Sequence, residues 1–321
     1  MRPGDPVSQP GSRGARHPAA LLRQAQVRAE WVREAARVLA HEGDGEIYKL
    51  VLAAPEIARR ATPGQFVQVH PVPVAPALPP GPVAPGPTPS GAPAVDPLLR
   101  RPLSLCEIRP EAGEVSLIYR VVGRGTRILA GVRPGAVLDL LGPLGRSFPD
   151  PRSGRGRLVL VGGGLGIPPL AAAARWAVES GRPAVAVLGA RSARYLAGAR
   201  EVTAAGVPVF IATDDGSAGE QGLVTAPLAR LLRSAGVGAD GAGAPLEVGE
   251  VWACGPEPML YAVKERCAAA GVPCFVSVER FMACGFGACL GCTVPAARGG
   301  YLKTCQDGPV FPAEEVILGG F

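Results

Sequence analysis

LVLVGGGLGIPPLAAAARWAVES, residues 158–180, decides the fold of this chain. Leu158 to Val161 form an unbroken apolar run, as expected of a strand buried on both faces. Glycines follow, and Pro168 and Pro169 then open an alanine-rich helical stretch with the φ that a first turn needs. A strand passed through glycines into a helix is one half of a parallel βαβ unit. The backbone NH groups of Gly162, Gly163, Gly164 and Gly166 are free to approach a pyrophosphate at the helix N-terminus. The run is not G-x-G-x-x-G, so the same glycines also fit a merely tight turn; the strand–loop–helix context favours dinucleotide binding.

The texture repeats downstream. PAVAVLGARS (183–192), VPVFIATDDG (207–216) and EVWACGPEPMLYAVKERCAAA (250–270) again place strand, loop and helix in order. Such alternation predicts a doubly wound parallel sheet over residues 155–271. Cys254 and Gly255 fall at the carboxyl end of a strand, the edge where such sheets bind ligands. A thiol there fits either contact with a nicotinamide ring or a small buried residue in a tight turn.

Upstream the pattern is different. ARVLAHEGDGEIYKLVLAAP (36–55) reads as two strands around a Gly43-Asp44-Gly45 turn, and PGQFVQVHP (63–71) as a third. RRPLSLCEI (100–108), EVSLIYRVV (114–122) and AVLDLLGPLG (136–145) are further short strands at regular spacing. The expectation is an antiparallel β-barrel over 36–150, interrupted by a Pro/Gly-rich insert at 72–97 that cannot form a ladder. Residues 1–35 read as a disordered tail, with Leu21, Leu22 and Val27 starting a short helix. Arg101, Pro102, Leu103 and Ser104 place a guanidinium and a hydroxyl on one barrel strand, suited to a phosphate and a heterocycle or simply to a surface. Gly123 to Thr126 offer amides and a hydroxyl to a phosphate, or form a plain hairpin.

The last segment, 275–321, carries ACGFGACLGC (283–292). Cys284, Cys289 and Cys292 are spaced C-x4-C-x2-C, and Cys305 follows after twelve residues. That is the ligand spacing of a plant-type [2Fe–2S] cluster. Four thiolates can also hold zinc, but zinc sites usually pair two C-x2-C knuckles, and only Cys289 and Cys292 have that spacing. Cys106, Cys267 and Cys274 are scattered and read as small hydrophobes. All three histidines precede residue 71, so no histidine-based acid–base or metal site is expected.

Composition narrows the class. With 47% hydrophobic and 19% charged residues the chain is globular, and its +6 charge is spread without a basic, aromatic-rich block, which leaves nucleic-acid binding unsupported. No apolar run approaches the ~20 residues of a membrane span. The N-terminal residues lack the apolar centre of a secretory signal. Eight cysteines without an export signal suggest a reducing, cytoplasmic setting in which metal binding is favoured over disulfides.

In order, RPLS, VGRGT, GPLG, VGGGLGIPPL, TDDGSAGEQG, CGPEPML, ACGFGACLGC and CQDGPVF resemble ferredoxin–NADP⁺ reductase-like proteins with a C-terminal [2Fe–2S] domain. Among them the chain is most similar to the electron-transfer subunits of dihydroorotate dehydrogenase B. The resemblance covers about 36–321 and implies an FAD-binding barrel, a nicotinamide-nucleotide domain and a cluster domain. It assigns Arg101, Gly125 and Thr126 to FAD phosphates and Ser104 to the isoalloxazine edge. Leu103 stands where many relatives have a ring-stacking tyrosine. Gly162 to Gly166, Cys254 and Gly255 face NAD, and the four cysteines hold the cluster.

The resemblance further implies a relay without acid–base catalysis, carrying electrons from a flavin-containing dihydroorotate dehydrogenase catalytic subunit through [2Fe–2S] and FAD to NAD⁺ in pyrimidine biosynthesis, as part of a hetero-oligomer. A ferredoxin–NAD(P)⁺ oxidoreductase or sulfide dehydrogenase subunit shares this architecture, as does an oxygenase reductase. A non-catalytic zinc-binding module is the reading from another class. Arg191 and Arg194 could meet the 2′-phosphate of NADP, whereas the resemblance favours NAD.

Overall fold

The computed structural model describes residues 26–28, 30–74, 97–233 and 247–319. Most of the expected tail and most of the Pro-rich insert lie outside them. A short strand, β1 (Gln26–Arg28), precedes a closed antiparallel barrel. Its strands are β2 (Val32–Gly43), β3 (Ile47–Ala53), β4 (Phe66–Val69), β5 (Arg101–Arg109), β6 (Glu114–Arg120) and β7 (Val137–Leu144), closing in the order β2-β3-β6-β5-β4-β7. Alternation fills it: Leu50, Leu52, Val67, Val69, Leu105, Leu117 and Leu138 share one buried core. Two short helices punctuate the barrel, α1 (Pro55–Arg60) and α2 (Arg124–Ala130). The second corrects the hairpin alternative for Gly123 to Thr126, since these residues start a helix.

Val27 lies in a strand rather than a short helix. β1 pairs with β8 (Arg146–Pro149), and the buried Gln26 amide donates to the Ser147 and Val310 carbonyls at 2.7 and 3.0 Å. Those two long-range bonds tie the segment down where local sequence gives no strand signal.

The second body alternates strand and helix: β9 (Arg157–Gly163), α3 (Pro168–Glu179), β10 (Ala184–Ala190), α4 (Ala199–Ala204), β11 (Val209–Thr213), β12 (Glu220–Gln221), α5 (Thr225–Arg233), β13 (Val248–Cys254), α6 (Glu257–Ala270) and β14 (Cys274–Ser277). The cluster segment adds β15 (Thr293–Pro295), β16 (Tyr301–Lys303) and β17 (Val310–Pro312). The large sheet runs β12-β11-β10-β9-β13-β14-β17, parallel except for β17, which pairs antiparallel with β14. Residues 275–277, placed by sequence at the head of the cluster segment, thus belong to a strand of this sheet. Leu158 and Leu160 of β9 pack into one core and Val159 and Val161 into the other, so the apolar run serves both faces.

Barrel and sheet share the first of these cores. Cys106 and Phe148 from the barrel side join it, and the Phe148 ring stacks on Trp252 with centroids 4.7 Å apart. Lys49 adds a polar link, pairing with Glu107 of the barrel and Glu201 of α4, each at 2.8 Å.

Candidate functional site

Strand order reverses between β9 and β13, opening a crevice at their carboxyl ends. A cavity of about 510 Å³ occupies it, lined by Gly163, Gly164 and Gly166 on one side and by Gly255 and Met259 on the other. A Cβ on Gly166 would stand 2.1 Å from the Cys254 carbonyl oxygen, so only glycine lets the loop press onto the neighbouring strand. Gly162 and Cys254 are not among the lining residues. Gly162 packs against Ile167, Leu170 and Leu188. Cys254 is buried in the first core, and burial pushes its thiol up to about 12.

Arg191 reaches the cavity, but Arg194 is engaged by the barrel's β2–β3 hairpin: it pairs with Glu46 at 3.1 Å and Asp44 at 3.4 Å. Glu279 also lines the cavity, and burial raises its carboxyl above the usual range. Sequence reading passed over Glu279; its signal was its place at the carboxyl end of the apolar run CFVSV.

On the barrel, Arg101 and Gly125 come together although 24 positions apart in sequence. A Cβ on Gly125 would lie 2.2–2.4 Å from the Arg101 guanidinium, so the fork lies flat on backbone that has no side chain. Thr126 differs from expectation. Its hydroxyl accepts from the Val122 and Gly123 amides at 3.0 and 3.1 Å and donates to the Gly123 carbonyl, capping α2. A phosphate here would meet the guanidinium and backbone amides, not this hydroxyl. That donor set fits a pyrophosphate. Pro102, Leu103 and Ser104 continue along β5, opposite Gln68, Val67 and Phe66 of β4.

The four cysteines form two pairs. Cys289 N donates to Cys284 Sγ and Cys305 N to Cys292 Sγ, both at 3.4 Å. Within each pair the two thiols also influence each other's charge. Among the described residues, no three Cys, His, Asp or Glu side chains gather as ligands of a single metal ion. Two pairs of thiols suit a cluster of two irons, which takes two ligands at each.

Electrostatics agree with that use. Burial pushes the Cys284 thiol up, but the amides of Cys289, Phe286 and Ala288 outweigh it and bring the pKa to about 7. Cys292 falls to about 6, through the Cys305 thiol first and then the Cys305 and Thr304 amides. Cys305 moves the opposite way, because its neighbour Cys292 already carries the pair's charge. Each pair therefore holds a sulfur ready as thiolate, the form that binds metal. Around them lie exposed apolar side chains, Phe281, Phe286 and Leu290, the last at φ 58°.

Residues 279–317 match the family described as the iron-sulfur cluster binding domain of dihydroorotate dehydrogenase B. The dihydroorotate dehydrogenase B (NAD(+)) electron transfer subunit of Geobacillus thermodenitrificans (strain NG80-2) is 40% identical over 84% of this chain and 93% of its own length. This chain belongs to that family of electron transfer subunits. The dihydroorotate dehydrogenase B subunit of Bacillus caldolyticus is likewise 40% identical over the same shares of each chain. A solved NADH-dependent reduced ferredoxin-NADP oxidoreductase is similar in fold, with a TM-score of 0.68 and 29% identity over 88% of this chain and 90% of that one.

Proposed function

We propose that this chain is the electron-transfer half of a type B dihydroorotate dehydrogenase, coupling oxidation of dihydroorotate on a partner catalytic subunit to reduction of NAD⁺ in pyrimidine biosynthesis. The observation that carries this reading is the two-pair cysteine loop, packed against the same barrel that holds Arg101 over Gly125. When bound, FAD supplies exchange of hydride with nicotinamide and of single electrons with a [2Fe–2S] cluster.

The chain's own residues bind and orient. Cys284, Cys289, Cys292 and Cys305 would ligate the cluster. Arg101 and the backbone at Gly125 and Thr126 would hold the FAD phosphates, with Pro102, Leu103 and Ser104 along the ring. Gly163, Gly164, Gly166 and Gly255 would line the NAD site, and Gly162 and Cys254 would support it from behind. With Arg194 paired to Glu46 and Asp44, one cation fewer is free for a 2′-phosphate, which supports NAD over NADP.

The catalytic subunit would dock on the face bearing Cys289, whose surround of Phe281 and Leu290 is apolar and exposed. No helix among the described residues is long and apolar enough to cross a membrane, and we place the complex in the cytoplasm. Mixing the purified chain with the catalytic subunit and following NADH from dihydroorotate tests the reading. NADH formation that needs both proteins supports it; a rate no higher than that of the catalytic subunit alone refutes it.

A further inference from the structure

Gln68 is the least explained buried polar side chain among the described residues. It is fully buried, and neither Nε2 nor Oε1 has a hydrogen-bond partner; among the described residues no other buried side chain leaves both ends of an amide unpaired. A buried amide without partners is strongly disfavoured, so native structures that keep one place something else beside it.

Its position says what. Gln68 and Phe66 alternate with Val67 and Val69, and the two valines fill the barrel core. Gln68 and Phe66 therefore face outward. Phe66 packs in a small core with Cys292, Cys305, Leu141 and Leu144, so this outer face is where the cluster loop sits. Gln68 itself lies against Gly285, the residue after Cys284. A Cβ on Gly285 would stand 2.7 Å from Gln68 Nε2 and 2.6 Å from its Cγ. Gly285 has φ +82° and no side chain, so the loop is laid directly on the amide. Thr304, beside Cys305, is likewise fully buried with an unpartnered hydroxyl. Two orphaned polar groups thus flank the same four cysteines.

We propose that Gln68, a barrel residue outside the cysteine motif, donates its amide N–H to the sulfur shell of the cluster and sets its reduction potential. This rests on the reading that the four cysteines hold [2Fe–2S]. Reduction adds one electron to the cluster, and a hydrogen bond to sulfur is strengthened as the sulfur gains negative charge. The amide therefore favours the reduced form and raises the potential. Gln68 also stands opposite Pro102 of the strand assigned to the flavin, so the same residue ties the cluster loop to that strand.

The experiment is an EPR-monitored redox titration of the loaded protein, wild type against Gln68→Met, which keeps the length of the side chain and removes both donor and acceptor. Iron and sulfide content of the wild type is measured first; absence of a cluster there refutes the cluster reading itself, separately from the role of Gln68. In Q68M the cluster is expected to be about tenfold harder to reduce, about 59 mV more negative for one electron, while the flavin potential stays in place. An unchanged cluster potential at full occupancy overturns the proposal, as does a shift confined to the flavin. Should Q68M not fold, Gln68→Leu also removes both donor and acceptor with a smaller side chain and is expected to lower the cluster potential in the same way; an unchanged potential in that variant is equally contrary.

Discussion

Two groups of cysteines in this molecule meet opposite environments. Cys106, Cys254 and Cys274 sit in strands and Cys267 in a helix, all buried in apolar cores. Burial pushes Cys254 up to about 12, and Cys106 and Cys274 are also raised. Cys284 and Cys292 sit in an irregular loop and are lowered to about 7 and about 6. The difference lies in where the backbone amides go. In strands and helices they are consumed by the ladder or the helix; burial leads in raising Cys106 and Cys254, and contact with the Cys267 thiol leads for Cys274. In the loop the Cys289 amide donates to Cys284 Sγ and the Cys305 amide to Cys292 Sγ, and together with the Cys305 thiol beside Cys292 they favour thiolate. Irregular backbone is what leaves amides to meet sulfur here.

The largest expected effect breaks the loop set. Cys292→Ser or Cys305→Ser should abolish the cluster, seen as loss of iron and of visible charge-transfer absorbance, with dihydroorotate-dependent NADH formation falling to the level of the catalytic subunit alone. Cys254→Ala should keep full iron content. If C254A lost the cluster as completely as C292S, the division between the two groups would fail.

Next in size is Arg101→Ala. Loss of charge-assisted hydrogen bonds of about 1.5–3 kcal/mol should weaken FAD binding by about tenfold to a hundredfold, measured by fluorescence titration of the flavin-free protein. Gly125→Val should act in the same direction, because its side chain would displace the guanidinium.

Beside Cys106, the Lys49 link sharpens the contrast on the acid side. Burial would raise the Glu107 carboxyl, but Lys49, Ser116 and Arg109 overcome it and hold the pKa at about 2. A carboxylate with a depressed folded-state pKa stabilises above its unfolded value and loses that contribution as pH falls through the folded one. Glu107→Gln should therefore cost about 1–3 kcal/mol at pH 7, and urea titrations should show the difference disappearing between about pH 4.5 and about pH 2. A difference independent of pH would contradict the assignment.

The smallest effect belongs to the core thiols. Cys267→Ala should cost about 1 kcal/mol of stability through lost packing, with cluster content and electron transfer unchanged in the same preparation.

What the sequence disclosed is what short spacing encodes. The strand, glycine loop and helix of 158–180 lie within one βα unit, and three of the four proposed cluster ligands fall within nine residues. The period-two strands of the barrel were legible for the same reason. Features made by distant contacts were not. β1 depends on Gln26 reaching Ser147 and Val310, β17 on its return to β14, and Arg194's role on Glu46 and Asp44 across the domain boundary. Gln68 carries no local signal, because what marks it is the absence of a partner in the folded chain. Cys254, at a binding edge by sequence, proved to lie behind the cavity because a strand's final side chain can still point into the core.

Nicotinamide and the cysteine loop should be connected within this one chain. An anaerobic titration of the isolated, loaded protein with NADH, followed by low-temperature EPR, tests it most directly. NADH alone should produce the rhombic signal of a reduced [2Fe–2S] cluster, and this signal should be absent in C292S. Bleaching of the flavin with no EPR signal at any NADH concentration, from protein with a full complement of iron and sulfide, would contradict it.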